Sequence, residues 1–526
     1  MNINAEARFE NIPSISKNTY RTIFPMTQKH ITTFNAGKLV PVYCQKYMPG
    51  DTFSMKAGEV ARMSTLLTPY FGKLLMDVAF FAVEERLVWD HYQEYRGVNT
   101  EDEWEPKNEY EKPQLKPPVG GFNLKTAAVY LGAAQPGIEN VEVDHLPIRA
   151  YCKIWNDHYR DQNLQRQIKI DKGDATTTGS NGTDWQVDAI LGGELLPVCK
   201  LHDVFTSCLP EPQKGPDVTI PLGETAPIQI LRTDETDTIL SPEKYAGVGI
   251  GSDLSLTATF DGTTKAQANL QLATAADVND WREAVVIQHM YEADARGGSR
   301  FNELIKNHYG ITTNDAQADR SEFLGATRIT LGVNQVVQTS QTTETSPQGS
   351  TTAFSLSANY EHVFTKSFDT WGYIIAVACV RNENMYQQGI EKQWFEKRRF
   401  DEYWPLLANI GSQAVLNKEL KATGTSVDDE VFGYQEAWYN WRYRVNRVTG
   451  EFRSGVENTL DFWHLADNYE GQPILGSEWI QANKENVDRI LAVTSKDSDQ
   501  FHVFFDFEPD VTRIMPLYST PGLNRI

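Results

Sequence analysis

Apolar positions along the chain switch between two periods, and that switching predicts most of its elements. Leu75 to Val83 (LMDVAFFAV) is apolar on both faces, which is the pattern of a strand buried inside a sandwich. Trp371 to Val380 reads the same way. In Phe501, Val503, Phe505 and Phe507 apolar residues alternate with His502, Asp506 and Glu508, with Phe504 breaking the pattern, so one face should be buried. Ile329, Leu331 and Val333 alternate likewise. Lys38 to Gln45 is a further strand, and Pro41 places it near a sheet edge.

Helical spacing is clearest in Leu146 to Gln165, LPIRAYCKIWNDHYRDQNLQ. Asp144 can cap its first N–H groups, and Pro147 fits the first turn. Ile148, Tyr151, Cys152, Trp155 and Tyr159 lie on one face, and Arg149, Lys153, Asn156, Asp157 and Arg160 on the other. Burying each large aromatic is worth about 2–3 kcal/mol, so this helix should anchor the chain around it. Two more helices are expected. Asp277 to Ala295 aligns Val278, Trp281, Val285 and Gln288 and stops at Gly297-Gly298. The next is capped by Ser299, aligns Phe301, Leu304, Ile305 and His308, and ends at Gly310.

Strands near both ends, with helices and loops between them, predict a mainly β fold: a single eight-stranded antiparallel jelly roll with long, partly helical insertions. Residues 1–35 are polar and mixed and read as an extended N-terminal arm. Residues 36–213 and 277–526 supply the core and its long loops, with a charged, proline-rich surface loop at Glu101 to Pro118. Residues 214–276 are rich in Gly, Thr and Ala, and their acidic residues outnumber their basic ones. They read as an exposed variable insertion with an Asp261-Gly262 hairpin signal.

Charge and cysteine usage narrow the function. The formal charge of −21 makes the whole chain a poor nucleic-acid binder, so any such contact has to be local or carried by a basic partner. Five cysteines (Cys44, Cys152, Cys199, Cys208 and Cys379) are an odd number without CxxC spacing, which argues against a disulfide framework or a zinc site. The N-terminus lacks the apolar run of a signal peptide, and the longest apolar stretch, ten residues, is half a membrane span, so neither export by that route nor membrane insertion is expected.

No motif of a metalloprotease, serine hydrolase, P-loop or dinucleotide fold is present, so no catalytic residue, metal ligand or cofactor is predicted. His289 and His308 lack ligand-spaced partners. RGGSR at 296–300 resembles a phosphate loop, although a Gly-Gly helix break explains it equally well. Asp428, Asp429 and Glu430 form a carboxylate cluster, but a glycosidase needs its carboxyls across a cleft, and a solvated turn accounts for them. The most informative polar stretch is Gly433 to Gly455, GYQEAWYNWRYRVNRVTGEFRSG. From Trp438 onward it holds four arginines (Arg442, Arg444, Arg447 and Arg453) against one acid, Glu451. Arginines beside flat aromatic faces suit single-stranded nucleic acid. The same composition suits subunit contacts, with Trp438, Trp441 and Tyr443 as anchors between neighbouring copies.

The anchor helix also carries the wording R-A-Y…I-W-N…R-D-Q-N-L, which resembles a signature of the major capsid proteins of microviruses, gokushoviruses in particular. Further stretches resembling that family run in its order along nearly the whole chain. They include HITTFNAGKLVPVY (30–43), FTSCLPEPQKGPDVTIPLG (205–223), DARGGSRFNELIKNHYG (294–310), YWPLLANIGSQAVLNKEL (403–420) and MPLYSTPGL (515–523). Departures are concentrated in 214–276, and Ser321 and Ala326 stand where the group tends to have Pro and Gly. The resemblance implies a virion protein, assembled in a bacterial cytoplasm. It implies self-association into a small T = 1 icosahedral shell around circular single-stranded DNA, with the insertion forming surface protrusions for host attachment. The partners it implies are further copies of the chain, the genome, a small basic DNA-binding virion protein, an internal scaffolding protein and a host surface receptor. The rival class is a cytoplasmic jelly-roll carbohydrate-binding protein or glycoside hydrolase.

Overall fold

A computed structural model describes residues 21–98, 110–216, 218, 228–232, 248–250, 256–258, 264–268, 278–337 and 351–517. Among the described residues nine strands build two antiparallel sheets. They are β1 (Arg21–Pro25), β2 (Gln28–Phe34), β3 (Val40–Tyr47), β4 (Thr52–Met63), β5 (Leu74–Glu84), β6 (Glu322–Thr330), β7 (Ser357–Ser367), β8 (Gly372–Asn382) and β9 (Phe501–Ile514). One sheet runs β1–β9–β4–β7, with β2 lying end to end with β1 along the same edge of β9. The other runs β6–β5–β8–β3. Taking β1 and β2 as one position leaves eight, and neighbours in each sheet are distant in sequence. This is the jelly-roll order, in which the chain crosses repeatedly between sheets.

The strands form where the periodicity places them. β5 and β8 pair along their full lengths at the centre of their sheet and are buried on both faces. In β9, Phe501, Val503, Phe505 and Phe507 are buried and the residues between them are not, so the alternation holds through Phe504. β3 is an edge strand, and its register slips opposite Pro41, which cannot donate to the ladder. Between the sheets, Phe80 meets Phe507 at 5.9 Å edge-on and Phe364 at 5.7 Å, while Tyr43 meets Phe507 at 5.1 Å. All five cysteines are free thiols.

Residues 21–34, expected within a free arm, pair instead with the C-terminal strand of the same chain. The latch is completed by Asp499, which accepts from Thr33 (2.7 Å), Asn35 (3.1 Å) and Lys125 (2.6 Å). The two longest connections, the first and second excursions, are residues 85–321 between β5 and β6 and residues 383–500 between β8 and β9.

The anchor helix is α1 (Leu146–Ile154), followed by one wider π turn over Trp155–Tyr159. It ends before Gln165, because Arg160 is extended. Asp144 accepts from Leu146 N at 2.9 Å, as the capping argument expects. The Tyr151 hydroxyl donates to Leu39 O (2.6 Å) and accepts from Leu196 N (3.0 Å), and Trp155 Nε1 donates to Pro197 O (2.7 Å). The helix thus ties the first excursion to the edge of the β3 sheet. Its predicted polar face needs correction. Arg149 is buried and donates to Val88 O (3.3 Å) and Gly173 O (3.0 Å), and Asn156 is buried against both backbone groups of Ile168. At these two positions polarity marks hydrogen bonding to the backbone of neighbouring loops and not solvent, while Lys153, Asp157 and Arg160 stay partly exposed.

By contacts the chain separates into two compact units, Met1–Pro212 with Arg300–Ile526, and Gln213–Ser299. The smaller unit extends past residue 276 because α2 (Val278–Gly297) belongs to it. Within it Lys214 N donates to Tyr291 O at 3.3 Å. Two short antiparallel pairs are described, Ile228–Arg232 with Thr264–Ala268 and Val248–Ile250 with Leu256–Ala258. Asp261-Gly262 and residues 101–109 of the charged loop lie outside the described residues. Trp281, expected on a covered stripe, is 55% exposed. In the larger unit α3 (Phe301–Tyr309) has no buried residue, and its Phe301 is exposed as well.

Candidate functional site

The second excursion is organised around a small core that it shares with residues 204–208 of the first. Strands Ser412–Leu416 and Val431–Glu436 pair antiparallel, and Val415, Leu420, Phe432 and Tyr439 pack with Phe205 and Tyr386. Beyond this hairpin the chain turns at Trp438, which adopts the left-handed conformation at φ 66°. That geometry is rare for a bulky residue and costs about 1–3 kcal/mol. It is held because Trp438 N donates to Gln413 Oε1 (3.3 Å) and its Nε1 to Leu407 O (2.8 Å).

Trp438 is therefore buried in its own chain, with Tyr403 edge-on at 5.7 Å, and is not available to a neighbouring copy. Trp441 and Tyr443, on the turn that follows, are 63% and 59% exposed. The expected anchors thus divide into one that shapes the loop and two that face outward.

The four arginines come together on this excursion, and three are ion-paired within the chain. Arg442 pairs with Glu436. Arg444 (3.3 Å) and Arg447 (3.2 Å) share the two oxygens of Glu391. Arg453 is exposed and its Nε lies 3.5 Å from Val448 O. Their charge is thus partly neutralised before any partner arrives.

Sequence reasoning overlooked the facing loop, 391–407. Asn440 Nδ2 donates to Glu396 Oε1 (2.9 Å), and Tyr403 reaches Trp441 at 6.5 Å, so the two segments share one surface. The loop adds Lys397, Arg398 and Arg399, all exposed, and the exposed Trp394 and Phe400. The Arg399 guanidinium stacks over Trp404 at 4.8 Å. The KRR run between Trp394 and Trp404 carries the same interleaving of cations and aromatics that singled out 438–453, and could have been found by it. Lys392 sits between the two segments, with its ammonium 4.6 Å above the Tyr439 ring.

The other candidate sites resolve into local structure. Asp428 accepts from Thr423 Oγ1 (2.7 Å), Thr423 N (2.9 Å) and Gly424 N (2.7 Å), and those bonds hold its carboxyl below the usual range. Asp429 pairs with Lys418 at 2.6 Å. The cluster is a closed turn, not a pair of carboxyls across a cleft. Arg300 N donates to Glu303 Oε2 at 3.2 Å, so a carboxylate of the same chain already occupies the start of α3 where a phosphate would sit. Among the described residues no group of three or more His, Cys, Asp or Glu is placed to hold a metal ion, and no helix is long and apolar enough to cross a membrane.

The family described as Capsid protein (F protein) matches residues 12–523. Capsid protein VP1 of Spiroplasma virus 4 is 39% identical over 537 aligned positions, covering 96% of each chain. Capsid protein VP1 of Bdellovibrio phage phiMH2K is 34% identical, covering 98% of this chain and 97% of the relative. Capsid protein VP1 of Chlamydia phage 1 is 33% identical, covering 99% of this chain and all of the relative. The chain belongs to the microvirus capsid (F) protein family, the proteins that form the shells of these phage virions.

Proposed function

We propose that this chain is the major capsid protein of a T = 1 icosahedral shell around circular single-stranded DNA, and that residues 214–276 serve host attachment. The observation that carries self-assembly is the apolar surface of the second excursion. Trp394 (70%), Phe400 (69%), Leu406 (98%) and Trp441 (63%) are exposed on two adjoining segments. Isolated exposed apolar residues are ordinary, but a concentration of large aromatics beside arginines is the composition of a buried interface centre. A second copy is the partner that a shell supplies.

Electrostatics bears on the interior. Subunits of charge −21 cannot hold a polyanion by their average field, since screening acts within about 8 Å at physiological salt. Local cations then carry the genome contact: Arg442, Arg444, Arg447 and Arg453, joined by Lys397, Arg398 and Arg399. Because three of these are already paired, most phosphate neutralisation falls to a separate small basic virion protein, and a scaffolding protein assists assembly.

Size-exclusion chromatography with electron microscopy of the purified protein tests the shell. Trp441→Ala should cut particle yield while leaving the melting temperature of the unassembled chain unchanged. Wild-type yield from that variant would remove the surface from the interface. Arg444→Ala with Arg447→Ala should lower the salt slope of single-strand binding by about 0.7 for each phosphate no longer bound. An unchanged slope in full particles would leave these arginines to subunit contacts. Replacing residues 218–270 by a short Gly/Ser linker should keep the sandwich folded and abolish adsorption to the host. An unfolded product would make the segment part of the core.

A further inference from the structure

The second excursion borders a cavity of about 250 Å³, walled by residues 389–394 and 439–453 with Val204 and Phe205 of the first. Ile390, Trp394, Tyr443, Val445 and Val448 give it apolar lining. Most of the charge on its walls is answered within the chain. Glu391 is shared by Arg444 (3.3 Å) and Arg447 (3.2 Å), and Glu419 takes the Tyr439 hydroxyl and Leu416 N (3.0 Å). The Lys392 ammonium lies 4.6 Å over the Tyr439 ring and is countered by Glu419, Glu396 and Asp401. With those charges already paired, the space suits a neutral, apolar occupant, because a further charge would lose its water without gaining a counter-ion. An apolar cavity of about 150 Å³ admits benzene, so this one has room for an aliphatic side chain.

A side chain of that kind stands on the adjoining loop. Leu406 is 98% exposed at the tip of the turn Pro405–Leu407. The turn is braced: Leu407 N donates to Trp404 O (2.8 Å), Trp438 Nε1 to Leu407 O (2.8 Å) and Trp404 Nε1 to Arg399 O (2.8 Å). A single exposed leucine is ordinary. One carried on a braced turn has already lost its backbone freedom, so docking it costs little further entropy. At that exposure it fills no cavity of its own chain. Tyr403 reaches Trp441 at 6.5 Å, which sets the loop of this turn against the segment that walls the cavity.

We propose that Leu406 of one copy of this chain inserts into this cavity of a neighbouring copy. A second copy is the occupant because both halves of the contact belong to one apolar surface: the projecting leucine, and the cavity wall with its exposed Trp394 and Tyr443. The inference deepens the proposed self-assembly surface and rests on it.

Cross-linking between two single-cysteine variants tests the insertion. Chains with Leu406→Cys are mixed with chains carrying Ile390→Cys, a lining position that is itself 44% exposed, then assembled and oxidised. The mixture should give a covalent pair of chains on a non-reducing gel, in amounts that neither variant gives alone and that wild type, with its five native thiols, does not give. Independently, Leu406→Asp should cut particle yield by about tenfold or more, and Leu406→Met, which conserves volume, should stay near wild type. The melting temperature of the unassembled chain should be unchanged in both, because the side chain stands in water. Absence of the covalent pair overturns the insertion, and so does wild-type yield from Leu406→Asp. If Trp441→Ala lowers yield while Leu406→Asp does not, the self-assembly surface survives and the insertion alone falls.

Discussion

Glu85→Ala should cost about 3–5 kcal/mol of folding stability and detach the start of the first excursion from the sandwich. Glu85 follows directly on β5 and is fully buried. Its carboxylate accepts from Arg96 Nη2 at 2.7 Å and Lys112 Nζ at 3.2 Å, and Lys46 Nζ lies at 3.3 Å. Lys112 also reaches Asp144 (3.5 Å) and the Tyr373 hydroxyl (3.3 Å), while Arg96 lies over Trp371 at 4.6 Å. One carboxylate therefore joins β3, β8, the loop after β5 and the start of α1.

Removing that carboxylate leaves three cations facing one another with Asp144 as the remaining acid. Burial alone raises the Glu85 pKa, but the Arg96 hydrogen bond and the charges of Lys112 and Lys46 outweigh it, and the net shift is downward. A depressed folded pKa gives stability that is present above the unfolded value and lost as pH falls through the folded one. Urea unfolding of the unassembled chain should show the loss for Glu85→Ala at neutral pH, with the difference from wild type shrinking in acid. A loss below about 1 kcal/mol would show that the neighbouring acids compensate.

Glu59 should act in the opposite direction. It lies on β4, is buried between the sheets, and accepts from the Thr327 hydroxyl on β6 across the sandwich, while its second oxygen has no partner. Burial pushes its carboxyl from 4.5 up to about 7; the Thr327 hydrogen bond opposes this, and the charges of Glu361 and Asp77 add to it. A raised folded pKa means the full contribution is present below the unfolded value, near 4.5, and is lost as pH rises through about 7. The penalty for ionising it in place is about 3 kcal/mol. Glu59→Gln should therefore match wild type near pH 5 and exceed it in melting temperature above pH 8. Parallel pH profiles for the two proteins would remove Glu59 as the cause.

Much of this architecture is legible in one dimension. The double-sided apolar runs of β5 and β8, the alternation in β9, Pro41 at a sheet edge and the aromatic face of α1 are local patterns. Each follows from which residues must leave water at a repeat of two or 3.6. The arginine-aromatic stretch was legible for the same reason, as composition within one segment.

What the tertiary structure alone decided are pairings between segments far apart in the chain. Residues 21–34 read as an arm because nothing local shows that β9, at the other end of the chain, offers them an edge. Arg149 and Asn156 read as solvent-facing because the backbone groups that satisfy them belong to other loops. Trp438 reads as a surface anchor because its burial depends on Leu407 and Gln413, brought in by a separate strand and loop. Glu391 partly neutralises two arginines more than fifty positions away. Periodicity reports only that a side chain must be covered or solvated. Which polar group meets which charge is set by long-range closure of the fold, and hydrogen-bond partners leave no local period to read.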